Sequence, residues 1–139
     1  MAHSELTITH VAGRANVRPS AIRYYESIGL LPPPVRVNGR RRYDEGVLER
    51  LAIIATAQRM GFTIAEIGTL LHGFDAGTPA WVRWQTLARD KLPEIEALIA
   101  HAHGMKRLLE TSLRCECLTL AECVTALQVR HLREAIPPR

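Results

Sequence analysis

The stretch that decides the fold is Pro19–Tyr43, PSAIRYYESIGLLPPPVRVNGRRRY. Proline suits the first turn of a helix, so a helix is predicted to begin at Pro19. Gly29 ends that helix, and the Pro32–Pro34 run prevents its continuation. Asn38–Gly39 then supplies the positive backbone angles of a two-residue hairpin turn, with three arginines directly after it. The pattern predicts a helix followed by an arginine-tipped hairpin, an arrangement suited to gripping DNA.

The positive charge of the chain is concentrated in the same half. Residues 1–62 hold nine Arg against five acidic residues, a net charge of +4, whereas residues 63–139 hold nine basic and nine acidic residues. Arginine forks onto phosphates and guanine edges better than lysine does. A solvated basic loop beside an ordinary helix is the alternative, but the combination of helix, stop, turn and arginines favours a polyanionic partner for this half.

The remaining patterns predict a mainly α chain. A short helix capped by Thr7 precedes the helix at Pro19, so residues 7–29 are predicted to form a helix-turn-helix, with residues 35–43 as its wing. A third helix is expected over residues 44–61. Thr63 and Glu66 form a capping-box pattern that begins a fourth helix. We expect a winged helix-turn-helix DNA-binding domain over residues 1–75.

Residues 80–112 are predicted to form one long dimerisation helix. Its apolar side chains fall on one stripe: Trp84, Leu87, Leu98, Ala102, Met105 and Leu109, broadened by Ile95, Ile99 and Leu108. Such a stripe is too long for a domain this small to cover, so we expect an antiparallel coiled-coil homodimer. Pro93 should kink the helix, and two helices split at Pro93 are the alternative.

Residues 113–139, the predicted effector loop and tail, contain all three cysteines of the chain. Cys115, Cys117 and Cys123 lie within nine residues, a clustering that packing alone explains poorly. An odd number of clustered cysteines argues against a disulfide framework. The pattern favours binding of a soft metal ion or redox chemistry.

The chain resembles the mercury-resistance regulator (MerR) family of bacterial transcription factors from Thr7 to about Cys123. The specific motifs are IRYYESIGLLPPP, NGRRRY, and AQRMGFTIAEIGTLL at residues 57–71. The resemblance implies a winged helix-turn-helix head, a long antiparallel dimerisation helix and an effector loop. It also implies double-stranded promoter DNA and RNA polymerase as partners, with the regulator bending and untwisting a promoter whose elements are spaced too far apart.

The resemblance also assigns DNA-binding residues. The recognition-helix positions are Arg18, Arg23 and Tyr24, and the wing positions are Arg36, Arg40, Arg41 and Tyr43. Most of these contacts are expected to go to phosphates, which position a protein without specifying sequence. DNA distortion then supplies part of the specificity.

Within the family, the cysteine spacing is most similar to the superoxide and redox-cycler sensor subfamily (SoxR), whose pattern C-x2-C-x-C-x5-C holds a [2Fe–2S] cluster. Here Ser112 replaces the first cysteine, and Trp81 falls where that subfamily has a tryptophan near the partner's cluster. Serine is a much poorer ligand for such a cluster. We therefore favour zinc, copper or another thiophilic ion at Cys115, Cys117 and Cys123.

Three further points on this site stay open. A zinc ion would need a fourth ligand, for which His131, a partner's His101 or His103, or water are candidates. Reversible disulfide formation without a metal is another possibility. A constitutive DNA-binding protein with a structural zinc is the alternative to a sensor.

Other function classes find no support in the sequence. We find no phosphate loop, paired-carboxylate cluster or suggestive Cys–His spacing, so an enzyme is not expected. There is no apolar run of membrane-spanning length, and the first residues lack signal-peptide character. The expected location is the cytoplasm, with no membrane partner.

Overall fold

The computed structural model describes residues 5–134, with side chains as far as Gln128. This part of the chain contains six helices and one two-stranded hairpin. In chain order the elements are α1 (Ile8–Ala15), α2 (Pro19–Ser27), β1 (Val35–Val37), β2 (Arg40–Arg42), α3 (Gly46–Arg59), α4 (Ile64–His72), α5 (Ala80–Ser112) and α6 (Leu120–Glu134). The mainly α fold class predicted from the sequence is confirmed.

The helix-turn-helix consists of α1 and α2. The Thr7 hydroxyl accepts a hydrogen bond from the backbone N–H of His10 and so caps α1. Asn16 ends the helix in the left-handed region, at φ 54°. The chain then turns directly into α2, which begins at Pro19 as predicted.

The hairpin β1–β2 is the predicted wing. Its strands are antiparallel, with Val37 opposite Arg40 next to the turn. Asn38 and Gly39 occupy the turn at φ 52° and 76°, the positive angles that the Asn–Gly pair predicted. Just after β2, Tyr43 forms an isolated backbone bridge with Leu6, which ties the wing to the segment before α1.

The buried core of the head is shared by the first four helices. Val11, Ile22 and Ile67 are fully buried, and one side chain from α5, Leu87, closes the cluster. The predicted capping box at the start of α4 is present, because Thr63 and Glu66 exchange hydrogen bonds. The helical spacing from Ile22 and Tyr25 predicts that Ile28 faces the core, but Ile28 is 40% exposed. It lies just beyond the last helical residue, where the helical spacing no longer applies.

Helix α5 runs unbroken for 33 residues through Pro93, so the two-helix alternative is wrong. The chain divides into two compact units, one ending at Lys91 and the other beginning at Leu92. The first unit therefore includes the start of α5 in addition to the head. None of the helices among the described residues combines the length and apolar character needed to cross a membrane.

Candidate functional site

The first candidate site is the arginine-rich face formed by α2 and the wing. Arg18 is the residue that precedes the first turn of α2, and Arg23 follows one turn later; both are exposed. Tyr24 is 51% exposed beside them. The predicted recognition-helix side chains are therefore accessible to a large partner.

Two of the predicted wing residues are equally accessible. Arg36 and Arg40 are exposed, and Arg36 also donates a hydrogen bond to the carbonyl of Gly39 across the turn, at 3.3 Å. A cleft of about 340 Å³ opens between the start of α1 and the wing; its lining includes Thr7, Thr9, Arg23, Arg40, Arg41 and Arg42. The amino-terminal end of α1 and four arginines thus converge on one concave surface, which is an environment suited to phosphate.

Arg41 and Tyr43 are placed differently from the other predicted DNA-binding residues. The Arg41 Nε donates to a carboxylate oxygen of Glu26 at 3.1 Å, and the Tyr43 hydroxyl donates to the other oxygen. Tyr43 is only 6% exposed, so its ring is part of the core. Burial, followed by the hydrogen bond to Glu26, raises the pKa of Tyr43 above its usual value. The resemblance assigned Tyr43 to the wing, and the structure places its ring in the core with its hydroxyl on Glu26.

Glu26 is the residue of this site that the sequence interpretation missed. It is the only acidic residue between Pro19 and Tyr43, and this isolation within a basic stretch was the available signal. Its side chain is 8% exposed and links α2 to the wing through the two hydrogen bonds. No sequence spacing could pair it with Arg41 and Tyr43, since these lie 15 and 17 positions further along the chain.

The second candidate site is the thiol cluster formed by Cys115, Cys117 and Cys123. Their three sulfurs lie within 4.8 Å of one another, and all three residues are half-buried. Cys115 Sγ is central, at 2.6 Å from Cys117 Sγ and 3.2 Å from Cys123 Sγ. The structure thus brings together the three residues that the sequence singled out as metal ligands.

The local backbone explains why these thiols converge. Cys115 and Cys117 lie on the short loop between α5 and α6, and Cys123 lies in the first turn of α6. The loop is fastened to α6 because the Thr119 hydroxyl accepts from the N–H of Glu122 and the Glu122 carboxylate accepts from the N–H of Leu118. Capping of α6 therefore fixes the third thiol against the loop that carries the other two.

The thiols also influence one another's protonation. Hydrogen bonding with Cys115 and then Cys123 raises the pKa of the Cys117 thiol to about 12. The pKa of Cys123 is raised too, chiefly by its hydrogen bond with Cys115. Cys117 and Cys123 are thus held in their neutral form, and a metal ion binding there would have to displace their protons.

The donor set fits a thiophilic metal ion better than an iron–sulfur cluster. Three sulfurs on one short segment can surround a single ion. The Ser112 hydroxyl, at the position of the first cysteine in the iron–sulfur pattern, instead donates to the Leu109 carbonyl of its own helix at 2.7 Å. His101 and His103 are exposed on α5, whereas the side chain of His131 lies outside the described residues.

A third feature is the apolar face of α5 beyond the head. Leu98, Ile99, Met105 and Leu109 are between 48% and 67% exposed. Trp81, in the first turn of α5, is 63% exposed. The first part of the predicted stripe, at Trp84 and Leu87, instead packs on the core of its own head. An apolar helix face of this length in a single chain is typical of a surface that pairs with another helix.

Comparison with known proteins links these features. A family model described as the MerR HTH family regulatory protein matches residues 6–73, and a second, described as MerR, DNA binding, matches residues 48–111. An HTH-type transcriptional activator SoxR homolog of Chromobacterium violaceum is 30% identical over 88% of this chain and 84% of its own length. The HTH-type transcriptional regulator CueR of Salmonella typhimurium is 34% identical over 85% of this chain and 87% of its own.

A solved structure shares the fold as well. It is that of a transcription regulator from Ralstonia metallidurans in complex with lead(II), which superposes with a TM-score of 0.69 at 29% identity. The superposition covers 85% of this chain and 94% of the other. The similarity therefore extends well beyond the helix-turn-helix.

Proposed function

The chain belongs to the MerR family of regulatory proteins, and we propose that it is a dimeric DNA-binding transcriptional regulator that distorts promoter DNA in response to a thiophilic metal ion. The ion is held by Cys115, Cys117 and Cys123. The observation that carries this proposal is the convergence of the three sulfurs within 4.8 Å, directly after the long helix. The relatives are named as transcriptional regulators, which supports a regulatory and not an enzymatic role.

The arginine-rich face supplies the DNA contacts. The exposed residues at the start and on the outer side of α2 are Arg18, Arg23 and Tyr24. The exposed residues of the wing are Arg36 and Arg40. We assign these five residues to direct contacts, mostly with phosphates. Tyr43 is buried against Glu26 and Arg41 is bonded to the same carboxylate, so we assign both a supporting role in the wing.

Dimerisation supplies the two-fold symmetry of the regulator. The exposed apolar residues of α5 would pair with the same helix of a second copy in an antiparallel coiled coil. Two heads related by a two-fold axis then read a palindromic operator. We propose promoter DNA, RNA polymerase and a second copy of the chain as the partners, and the cytoplasm as the place of action.

The thiol geometry suggests how the ion is sensed. Cys115 and Cys117 lie on the loop between α5 and α6, and Cys123 lies in the first turn of α6, so one ion held by all three would fasten the loop to that helix. We propose that a movement of this loop on ion binding changes the angle of the dimer and so the spacing of the two DNA-binding heads.

Anaerobic purification followed by elemental analysis and an absorption spectrum tests the metal assignment. We expect a thiophilic ion at about one per chain, or its stoichiometric uptake on titration, with thiolate-to-metal absorption in the ultraviolet. Visible bands with iron and sulfide would instead establish a [2Fe–2S] cluster and overturn the assignment. A protein that takes up no ion but forms a disulfide on mild oxidation would favour thiol redox sensing.

A further inference from the structure

Glu26 occupies a position between the two elements that face DNA. Its carboxylate accepts from Arg41 Nε at 3.1 Å through one oxygen and from the Tyr43 hydroxyl through the other. Among the described residues, two hydrogen bonds join α2 to the wing and to Tyr43, which follows it. Both are accepted by the Glu26 carboxylate. The backbone bridge of Tyr43 attaches to Leu6, which is outside α2.

The contact differs from an incidental surface ion pair. The Glu26 side chain is 8% exposed and that of Arg41 is 28% exposed, whereas the Arg14–Glu45 pair of the same head has both side chains 55% exposed. Exposed pairs contribute little to stability, but a shielded carboxylate that accepts a hydrogen bond on each oxygen fixes the geometry of its partners. A negative charge next to Arg41, on an arginine-rich face, also opposes binding to phosphate unless its partners neutralise it.

We propose that Glu26 is a positioning residue for DNA recognition, which holds the wing at a fixed spacing and angle to the recognition helix through Arg41 and Tyr43. This inference rests on the proposed DNA-binding function. Sequence is read only when α2 and the wing meet the duplex in register, whereas attraction to phosphates depends mainly on the number of positive charges. Glu26 therefore contributes to specific binding and not to general affinity for DNA.

The test uses full-length protein and a duplex selected by the wild-type chain from a random-sequence library. Affinity for this duplex is compared with affinity for a scrambled duplex of equal length and composition. Glu26→Gln removes the charge while keeping the shape, and Glu45→Gln is the matched control because it removes the same charge from the exposed Arg14 pair. Tyr43→Phe removes the hydrogen bond from the Tyr43 hydroxyl to Glu26 and leaves every charge unchanged.

We expect Glu26→Gln to lower the ratio of specific to non-specific affinity about tenfold, a loss comparable to a mismatched base pair. Tyr43→Phe should lower it about threefold, as expected for one lost hydrogen bond. Glu45→Gln should keep the wild-type ratio. Non-specific affinity should hold or rise in Glu26→Gln because the head gains net positive charge. A wild-type ratio in both Glu26→Gln and Tyr43→Phe would overturn the proposal, as would an equal loss on both duplexes.

A measurement without DNA separates this proposal from the proposed function. Hydrogen–deuterium exchange of the wing amides, residues 35–42, should be faster in Glu26→Gln than in the wild type and unchanged in Glu45→Gln. Unchanged wing exchange in Glu26→Gln would overturn the positioning role. Failure of the wild-type protein to bind any duplex would contradict the proposed function, while the exchange data would still decide what Glu26 does.

Discussion

The ammonium of Lys91 on α5 lies 2.9 Å from the carboxylate of Glu66 on α4. Lys91 is only 7% exposed, and its ammonium also lies 5.7 Å from the centroid of the Phe62 ring. The same Glu66 carboxylate accepts from the N–H of Thr63 at 2.8 Å and closes the capping box of α4. The Glu66 side chain therefore caps the start of α4 and also holds the first part of α5 against the head.

This contact makes the stability of the head dependent on pH. The hydrogen bond from Lys91, followed by that from the Thr63 backbone, lowers the pKa of Glu66. A carboxylate with a depressed folded-state pKa adds stability above its unfolded pKa of about 4.3, and the stability is lost as the pH falls through the folded pKa. We expect Glu66→Gln to lower the free energy of unfolding at pH 7 by about 1–2 kcal/mol, between the values for exposed and buried pairs.

Thermal or urea unfolding at pH 7 and pH 3 checks this expectation. The difference between wild type and Glu66→Gln should be smaller at pH 3 than at pH 7, because protonation progressively removes the Glu66 charge as the pH falls through its lowered folded pKa. Glu110→Gln is the control, because its pair with Lys106 is exposed and 3.8 Å long. An equal difference at both pH values would contradict the role given to the Glu66 charge.

The wing turn should be sensitive to the loss of one glycine. Gly39 has φ +76°, an angle that disfavours any side chain, although a Cβ there would meet no atom within 4 Å. Gly39→Ala should therefore strain the turn by about 1 kcal/mol and weaken specific DNA binding without unfolding the head.

Gly13→Ala provides the matched comparison in electrophoretic mobility and unfolding assays. Gly13 lies within α1, and a Cβ there also has open space. This change should raise stability by about 0.5–1 kcal/mol and leave the wing unaffected. Equal DNA affinity in Gly39→Ala and wild type would show that the wing does not contribute to binding.

The exposed face of α5 should determine the oligomeric state. Leu98 is 61% exposed in the single chain, so Leu98→Glu should leave the head folded but place a charge in the dimer seam. Sedimentation should then show a monomer at concentrations where the wild type is a dimer. Ala100→Glu, an exposed position off the predicted stripe, should remain dimeric. A dimer in both variants would place the interface elsewhere.

The three thiols and Ser112 should contribute unequally to metal affinity. Cys117→Ser removes one of three converging donors and should weaken binding of a thiophilic ion by at least about 100-fold. Ser112→Ala should leave the affinity unchanged, since the Ser112 hydroxyl donates to the Leu109 carbonyl. Competition titration with a chelator measures the metal affinity of both variants. A large loss of affinity in Ser112→Ala would show that Ser112 is a ligand.

Local signals were sufficient to predict the elements of the head. Pro19, the Asn38–Gly39 pair and the Thr63 capping box each act within a few residues, and each has the predicted role in the structure. The apolar stripe also predicted the length of α5. The helix continues through Pro93 without a break, as the one-helix prediction requires. Each of these signals depends on residues that are close together in the chain, so it can be recognised in the sequence.

The contacts that the sequence did not reveal are those between distant polar groups. Glu26 with Arg41, and Glu66 with Lys91, join elements that are far apart in the chain, and no periodicity pairs them. The burial of Tyr43 was missed for the same reason, since its partners are Leu6 and Glu26. The thiol cluster was found because its members lie within nine residues of one another.

Transcription in vitro from a promoter carrying the selected operator links the thiol cluster to DNA. Purified RNA polymerase is combined with wild-type regulator, with and without one equivalent of the bound ion, and with Cys115→Ser, Cys117→Ser and Cys123→Ser. We expect the ion to change transcript yield with the wild type, and to have no effect with the three variants although they still bind the operator. An ion response that persists in all three variants would contradict the proposal that these thiols control the promoter.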